Sequence, residues 1–356
     1  MVRSVFTNSL MSGLLVFLLF SCKETTTPPP PTIQIDTTSH DFTWQVSSFG
    51  DLTSTLRDVI AISENNIWAV GQIYKNDTTF NALHWNGQRW ETHAILFNTL
   101  TGNRSPSRIE AVFAFSEDDV WMFSVVGSYA HWDGRNWESH LVYETKGSIR
   151  RIWGSQNDRV FFVGSNGNIT KFGETGWQLV NNQISENLKD IAGFIGHEDL
   201  WVCGYASNYS SSILLHFDGS EWQTNWRLTP EAFAVSTYEG LLQSLCALGE
   251  DSLIVVGGDG VFRQDRIGNS PPKRDNINLN AFPQSIRGNA PNNLFIVGFN
   301  GMVWHFNGRS WHFFNNLHNP NWTFESVSVL GNFVVAVGED ASEGISKDLV
   351  LIGHRN

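Results

Sequence analysis

The sequence contains 356 residues, of which 41% are hydrophobic and 16% are charged, and its formal net charge is −12 at pH 7. An acidic chain of this kind has no electrostatic attraction for nucleic acid or for anionic lipid headgroups. We therefore expect the partner to be a protein or a glycan, and we expect no nucleic acid.

The N-terminal segment has the features of an export leader. Arg3 precedes the apolar run Leu14–Phe20, which is too short to span a bilayer. The tetrad Leu19-Phe20-Ser21-Cys22 resembles the lipobox of bacterial lipoproteins, whose cysteine is lipidated after cleavage. The resemblance implies a signal peptide over residues 1–21, lipidation of Cys22 and a place in the cell envelope, anchored to the outer membrane on its periplasmic or outer side. The alternative is an ordinary signal peptide that ends near a cysteine.

A tether follows over residues 22–40. Its Thr25–Pro31 stretch, TTTPPPP, buries no apolar area and favours an extended polyproline conformation. We expect it to hold the folded part, residues 41–356, away from the membrane.

The folded part is built from seven copies of one motif. Ser285–Trp311 shows it most clearly, as three short β-rich segments separated by Asn/Gly turns, with Trp311 opening a fourth. A small residue follows the second segment of each copy, at steps of 53, 40, 40, 53, 41 and 40 residues: Gly71, Ser124, Gly164, Gly204, Gly257, Gly298 and Gly338. This period predicts an all-β fold, a seven-bladed β-propeller of four-stranded antiparallel blades. We expect the small residues to lie where the innermost strands crowd the central channel.

The two ends of the folded part complete each other. Copy seven ends at Leu349–Gly353 without a fourth strand, whereas Phe42–Val46 precedes copy one and carries Trp44, which matches the tryptophan that opens other fourth strands. We therefore predict that the N-terminal strand closes the ring as the outer strand of the last blade, which removes two open sheet edges.

The candidate binding site is the channel mouth on the face that carries the long loops. Those loops are predicted at Gln72–Ala82, Tyr205–Ile213, Glu339–Asp348 and in the links Ala94–Ser107, Thr224–Gly240, Arg266–Leu279 and Asn315–Asn321. Polar residues that begin the first strands face the same way, and nearby loops add aromatic residues that suit a glycan or protein ligand. The candidate ligand-binding residues are Arg57, Glu110, Arg150, Arg151, Lys189, Tyr143, Trp226, Tyr238 and Trp322. The alternative is a solvated mouth whose charges pair with one another.

Other chemistry-bearing residues have structural explanations. His84, His131, His216 and His305 occupy the same place in different copies, so they cannot converge on one ion, and we predict no metal site and no cofactor. Acidic turns on the opposite face lack the oxygen spacing of a Ca²⁺ loop. Cys203 and Cys246 fall in adjacent copies, as a disulfide or as two separate buried thiols.

One repeat element resembles a known group. Copy one reads Asn66-Ile67-Trp68-Ala69-Val70-Gly71 and later His84-Trp85-Asn86-Gly87, with Trp90 opening its fourth strand. The pattern resembles bacterial exported propellers with Trp-Ala-Val-Gly-type blades. The resemblance spans residues 41–353 and implies fold and export, but no activity, because propellers carry out many unrelated functions.

Three functions remain open on the sequence. The first is a monomeric, lipid-anchored binding or assembly module that recognises a protein or glycan through the long-loop face. The second is a carbohydrate-active hydrolase or lyase with its site at the channel mouth. The third is a structural component of the envelope.

Overall fold

Each repeat forms a four-stranded antiparallel sheet in the computed structural model, and the described residues contain seven such sheets. The structure describes residues 36–356 except 144, 156–158, 181–182, 195, 229–239, 259 and 269–271. The leader, Cys22, most of the tether and Tyr238 therefore lie outside the described residues. The first strands of all seven sheets line one central cavity. The predicted seven-bladed propeller is confirmed.

The strands are numbered in chain order, and each blade takes the number of its repeat. Blade 1 consists of β2 (Leu52–Ser63), β3 (Asn66–Lys75), β4 (Thr78–Trp85) and β5 (Trp90–His93). A small hairpin follows, of β6 (Phe97–Asn98) and β7 (Arg104–Ser105). Blade 2 consists of β8 (Ile109–Ser116), β9 (Asp119–Ser124), β10 (Ser128–Trp132) and β11 (Trp137–Leu141). Blade 3 consists of β12 (Ile149–Gly154), β13 (Val160–Gly164), β14 (Ile169–Gly173) and β15 (Gly176–Leu179).

The remaining blades follow the same order. Blade 4 consists of β16 (Asn187–Gly193), β17 (Leu200–Tyr205), β18 (Ser212–Phe217) and β19 (Trp222–Leu228). Blade 5 consists of β20 (Leu242–Leu248), β21 (Ser252–Gly257), β22 (Gly260–Asp265) and β23 (Lys273–Arg274). Blade 6 consists of β24 (Pro283–Ala290), β25 (Asn293–Gly298), β26 (Val303–Phe306) and β27 (Trp311–Phe313). Blade 7 consists of β28 (Trp322–Leu330), β29 (Phe333–Asp340), β30 (Lys347–Arg355) and the N-terminal β1 (Phe42–Phe49). Two 3-10 helices, Ser165–Gly167 and Asn315–Leu317, complete the described elements.

The ring is closed by the two ends of the chain. Strand β1 pairs antiparallel with β30, and Trp44 lies opposite Gly353. The Trp44 ring also packs edge-on against Phe314 of the neighbouring blade, with ring centroids 4.8 Å apart. The predicted closure is therefore confirmed, and the closing strand is held by a ladder as well as by packing.

Apolar packing joins each blade to the next. The buried side chains of the described residues form seven hydrophobic clusters, one at each interface between neighbouring blades. For example, Val163 of blade 3 and Ile191 of blade 4 belong to the same cluster. Among the described residues, no helix is long and apolar enough to cross a membrane.

Several of the predicted long loops contain regular strands, among them Ala94–Ser107 with the hairpin of β6 and β7. In the segment Gln72–Ala82, strands β3 and β4 simply continue to a tight turn at Asn76 and Asp77, where φ is 50° and 57°. The segment Arg266–Leu279 contains β23, the short outer strand of blade 5. Its copy lacks the tryptophan that opens other outer strands, so the sequence pattern missed it.

A β-bulge interrupts the first strand of all seven blades at the same place. Leu56 lies opposite Gly71 and Asp58 lies opposite Val70, so Arg57 is an extra residue between them. The six other first strands skip a residue in the same way. The small residues are needed here: a Cβ on Gly164 would lie 1.7 Å from the carbonyl oxygen of Ser148. They therefore accommodate the bulged backbone of the first strand, and a bulge of this kind redirects a side chain.

Candidate binding site at the channel mouth

The bulges build a ring of polar side chains at the start of the first strands. The extra residue of each bulge is charged or an amide in every blade, and we call these seven residues the mouth ring: Arg57, Glu110, Arg150, Lys189, Gln243, Gln284 and Glu325. The residue after each bulge again lies opposite a single residue of the second strand, and the seven residues at this position form a second, deeper ring. We call that set the inner belt: Asp58, Ala111, Arg151, Asp190, Ser244, Ser285 and Ser326.

One side of the mouth ring is held by ion pairs that join different blades. Glu325 lies 3.1 Å from Arg57 and 3.2 Å from Arg150. Glu110 lies 3.8 Å from Arg150 and 2.5 Å from Arg108, which precedes β8. Burial disfavours the charged guanidinium of Arg150, but Glu325 and Glu110 outweigh this effect and raise the pKa of Arg150.

The other side of the mouth ring is less completely paired. The ammonium group of Lys189 lies 4.4 Å from the centroid of the Tyr205 ring, and it makes no salt bridge with a described residue. Burial and the nearby charge of Arg150 lower the pKa of Lys189. Gln243 donates a 2.7 Å hydrogen bond to Gln284, but the buried Oε1 of Gln243 accepts no hydrogen bond from the described residues. This side therefore offers one cation and one amide to a ligand.

The inner belt is a buried network in which charges are matched. Arg151 lies 3.3 Å from Asp58 and donates to the backbone carbonyl oxygens of Arg57 and Glu325. Asp58 in turn accepts hydrogen bonds from the backbone of Val112 and from the hydroxyl of Ser326. Arg151 thus links blade 3 to blades 1 and 7.

A second ion pair joins Asp190 of the belt to Arg287, which lies two residues beyond Ser285 and is partly exposed. Asp190 accepts two hydrogen bonds from Arg287, at 2.8 and 2.9 Å, and others from Ser244 and from the backbone of Leu245. Burial alone would raise the pKa of Asp190, but Arg287 beside it holds that pKa below its usual value. Each carboxylate of the belt is thus paired with a guanidinium and hydrogen-bonded, so removal of one partner would leave a buried charge uncompensated.

Beneath the belt lies a cavity of about 250 Å³ that is lined by both apolar and polar groups. Its walls are the central residues of the seven first strands, such as Val59, Ile152, Ile191 and Val327. Arg151 and Arg287 border it on the belt side. The belt therefore separates the polar mouth from the rest of the channel.

The charged candidate residues divide between the two rings. Arg57, Glu110, Arg150 and Lys189 meet at the mouth, whereas Arg151 is only 4% exposed and belongs to the belt. Arg151 pairs with Asp58 and with backbone carbonyl oxygens there, so its guanidinium lies apart from the four charged groups of the mouth.

The candidate aromatic residues are dispersed. Trp226 packs on the cluster between blades 4 and 5, and Trp322 packs on the cluster between blades 6 and 7. Tyr143 is 72% exposed on the link that follows β11. The aromatic residue that does reach the mouth ring is Tyr205, which the sequence did not select. Its position in the sequence could have identified Tyr205, because it directly follows Gly204 on the strand that pairs with the bulged strand of Lys189.

The mouth has a positive balance in an acidic protein. Four cations, Arg57, Arg108, Arg150 and Lys189, surround two carboxylates, those of Glu110 and Glu325. The formal charge of the whole chain is −12. A local excess of cations in a partly enclosed ring attracts anions and suits hydrogen bonding to a carboxylate.

The histidines of the matching copies stack on an aromatic ring of the second strand of their own blade, and His305 also contacts His40, which precedes β1. His131 lies 2.8 Å from Asp119 and His216 lies 3.1 Å from Asp199, and each imidazole stacks on a tryptophan of the second strand. His305 contacts Asn293 at 3.1 Å and stacks on Phe295. Cys203 and Cys246 are both buried and free, and burial raises the pKa of the Cys246 thiol to about 11.

Comparison with known proteins relates this chain to solved propellers. The structure of YCF48 bound to D1 peptide is 18% identical, with a TM-score of 0.61, and the match covers 88% of this chain and 97% of that one. YCF48 from Cyanidioschyzon merolae is 14% identical, with a TM-score of 0.61 over 87% of this chain and 98% of that one. The WD40 β-propeller domain of Doa1 is 13% identical, with a TM-score of 0.60 over 88% and 97%. These similarities support the propeller fold. No family model and no curated protein matches the sequence.

Proposed function

We propose that this protein is an extracytoplasmic, lipid-anchored binding module that holds a carboxylate-bearing segment of a partner protein at its channel mouth. The observation that carries the proposal is Lys189, a partly buried cation with no salt bridge to a described residue, inside a ring with more cations than carboxylates. A peptide carboxylate would supply the missing counter-charge.

The solved relatives are consistent with this class of ligand. One neighbour of the same fold, YCF48, has been solved bound to a D1 peptide. A fold shared at 18% identity gives only an analogy, so the choice of a peptide rests on the charges and hydrogen-bonding groups of this mouth.

Binding is tested with peptides that end in a free carboxylate and with the same peptides carrying an amidated C-terminus. The full chain is titrated with each set, and binding is measured by fluorescence anisotropy. We expect the carboxylate peptides to bind at least about tenfold more tightly, because a buried charge-assisted hydrogen bond contributes more than about 1.4 kcal/mol. Equal affinities for the two sets would contradict a carboxylate site.

A matched pair of variants locates the site. Lys189→Gln removes the unpaired cation of the mouth, and Lys171→Gln makes the same change at an exposed position on β14. We expect only Lys189→Gln to weaken peptide binding, with both melting temperatures close to that of the parent. Equal weakening in both variants would mean that net charge alone attracts the peptide. If the protein binds saturably on a glycan array and does not bind the peptides, its ligand is a glycan and not a protein.

The proposed anchor has its own test. The run of apolar residues that precedes Ser21-Cys22 supports lipidation of this cysteine. In a Gram-negative host fed with labelled palmitate, we expect the parent chain to be labelled and to fractionate with the outer membrane. Cys22→Ser should abolish the label. A labelled Cys22→Ser chain would contradict lipidation at this residue.

A further inference from the structure

Blades 1 and 2 carry the same three residue types at the same spacing in their outer strands. The sequence Trp90-Glu91-Thr92-His93 of β5 matches Trp137-Glu138-Ser139-His140 of β11. In both blades the glutamate lies directly opposite a histidine of the third strand, His84 in blade 1 and His131 in blade 2. Pairing register alone would therefore place a His-Glu-His cluster in each blade.

Only blade 1, within the described part of the chain, brings the three side chains together. The ligand atoms of His84, Glu91 and His93 all lie within 4.8 Å of one another. The two imidazole rings have centroids 5.9 Å apart. All three side chains are half-buried, on the face where blade 1 packs against blade 2.

The difference between the blades arises opposite the second histidine. In blade 2, Tyr129 lies opposite His140, and the two rings stack with centroids 5.2 Å apart. This stacking leaves His140 about half exposed, with 53% of its side chain accessible. In blade 1 the corresponding residue is Ala82, which has no ring to hold His93. His93 instead lies over Trp68, with ring centroids 5.3 Å apart, beside His84.

The partner of the first histidine also differs. His131 contacts a carboxylate, that of Asp119, at 2.8 Å, whereas His84 contacts the amide oxygen of Asn66 at 3.0 Å. An amide oxygen accepts the Nε2–H of a neutral imidazole, which leaves the Nδ1 lone pair of His84 available. Trp68 stacks on the His84 ring at 4.1 Å and fixes its plane.

The other two side chains also present unused donor atoms. The Nε2 atom of His93 is buried and has no hydrogen-bond partner among the described residues. Glu91 is oriented through Oε1, which accepts hydrogen bonds from Asn86 and Arg89.

We propose that His84, Glu91 and His93 form a binding site for a divalent transition-metal ion, with Zn²⁺ the best match. Two imidazoles and one carboxylate are a donor set that Zn²⁺ uses with a fourth position left for water, whereas Ca²⁺ and Mg²⁺ prefer oxygen ligands. Tetrahedral Zn²⁺ with bonds of about 2.1 Å places its ligand atoms about 3.4 Å apart, so small side-chain rotations complete the site. The ion would tie β5 to β4.

The site is tested on the full chain with the metal alone. Co²⁺ binding is followed by visible absorption, which distinguishes tetrahedral from octahedral ions, and Zn²⁺ binding is followed by calorimetry. We expect one equivalent to bind with tetrahedral geometry, and the fluorescence of the adjacent Trp68 to be quenched by Co²⁺. His93→Ala and the shape-conserving Glu91→Gln should each weaken binding at least tenfold.

Matched controls make the outcome decisive. His140→Ala removes the equivalent histidine of blade 2. His312→Ala removes a histidine of blade 6 that packs against His40, which also contacts His305. Neither should change the affinity for Zn²⁺. The proposal is overturned if no saturable binding occurs, or if His93→Ala and Glu91→Gln bind as the parent does. Equal loss in His140→Ala would place the ion elsewhere and overturn it too. Glu91→Gln decides the matter if His93→Ala fails to fold.

Discussion

Arg150 and Arg151 are adjacent in the sequence and identical in chemistry, but they belong to two different regions of the channel. Arg150 lies in the mouth ring, with 24% of its side chain exposed, and pairs with carboxylates that other cations share. Arg151 lies in the inner belt, with 5% of its side chain exposed, and links three blades through hydrogen bonds. The difference shows that one β-bulge places neighbouring residues in different environments, one at the open mouth and one in the buried belt.

The largest expected effect follows from breaking the belt. Arg151→Met removes the guanidinium but keeps much of the aliphatic volume, and it leaves the buried carboxylate of Asp58 without its counter-charge. We expect the free energy of unfolding to fall by about 3–5 kcal/mol. Urea denaturation measures this change. A decrease in unfolding free energy of less than about 1 kcal/mol would mean that Arg151, unlike Arg150, has no structural role. Breaking a buried ion pair costs more than that.

The bulge itself is tested next. In Gly164→Ala the new Cβ would lie 1.7 Å from the carbonyl oxygen of Ser148, so the bulged strand has to move. We expect a loss of about 1–3 kcal/mol from overpacking. Gly173→Ala, in the same blade, is the control, because no heavy atom of the described residues lies within 4 Å of its added Cβ. Similar melting temperatures for the two variants would show that the glycine column does not support the bulge.

A smaller effect on stability is expected at the mouth. Arg150→Gln removes ion pairs with Glu325 and Glu110, but Arg57 and Arg108 still neutralise these carboxylates. We expect a loss of about 1 kcal/mol in unfolding free energy, because partly exposed pairs contribute little, together with weaker binding of carboxylate peptides. A stability loss equal to that of Arg151→Met would remove the distinction between the two regions.

The smallest change concerns the pH dependence of binding. The pKa of Lys189 is lowered from 10.5 by burial and by Arg150, so its positive charge is lost at a lower pH than that of an ordinary lysine. Peptide binding should therefore weaken as the pH rises through the alkaline range below 10.5. In Lys189→Arg the charge persists, so the affinity should stay constant over this range. Identical pH profiles for the two proteins would exclude Lys189 as the cation that binds the carboxylate.

Much of the fold could be predicted from local signals. Seven small residues at a regular period predicted the number of blades, and the unmatched Trp44 predicted how the ring closes. The prediction failed where the signal was absent, as at β23, whose copy has no tryptophan.

The candidate site was predicted in part. Arg57, Glu110, Arg150 and Lys189 were identified because they precede an apolar column, whereas Trp226 and Trp322 pack between blades.

The metal cluster shows a further limit of sequence reasoning. The prediction that His84 is structural was based on the histidines at one position of the repeat, in the third strands. It did not consider the residues of the neighbouring outer strand. The sequences of β5 and β11 are nearly equivalent, and the difference depends on whether Ala82 or Tyr129 lies opposite the second histidine. Such a contact is made between residues of two different strands, so it cannot be predicted from the spacing of residues along one strand.

The sequence by itself determined the number of blades, the closure of the ring and the polar character of the mouth, because each depends on residue types that recur at a set spacing. The tertiary structure alone decided which of two adjacent arginines lies at the open mouth and which is buried. That choice depends on the bulge and on partners far away in the chain, such as Glu325, which lies 175 residues from Arg150. These groups meet only after seven separate strands have converged on one channel.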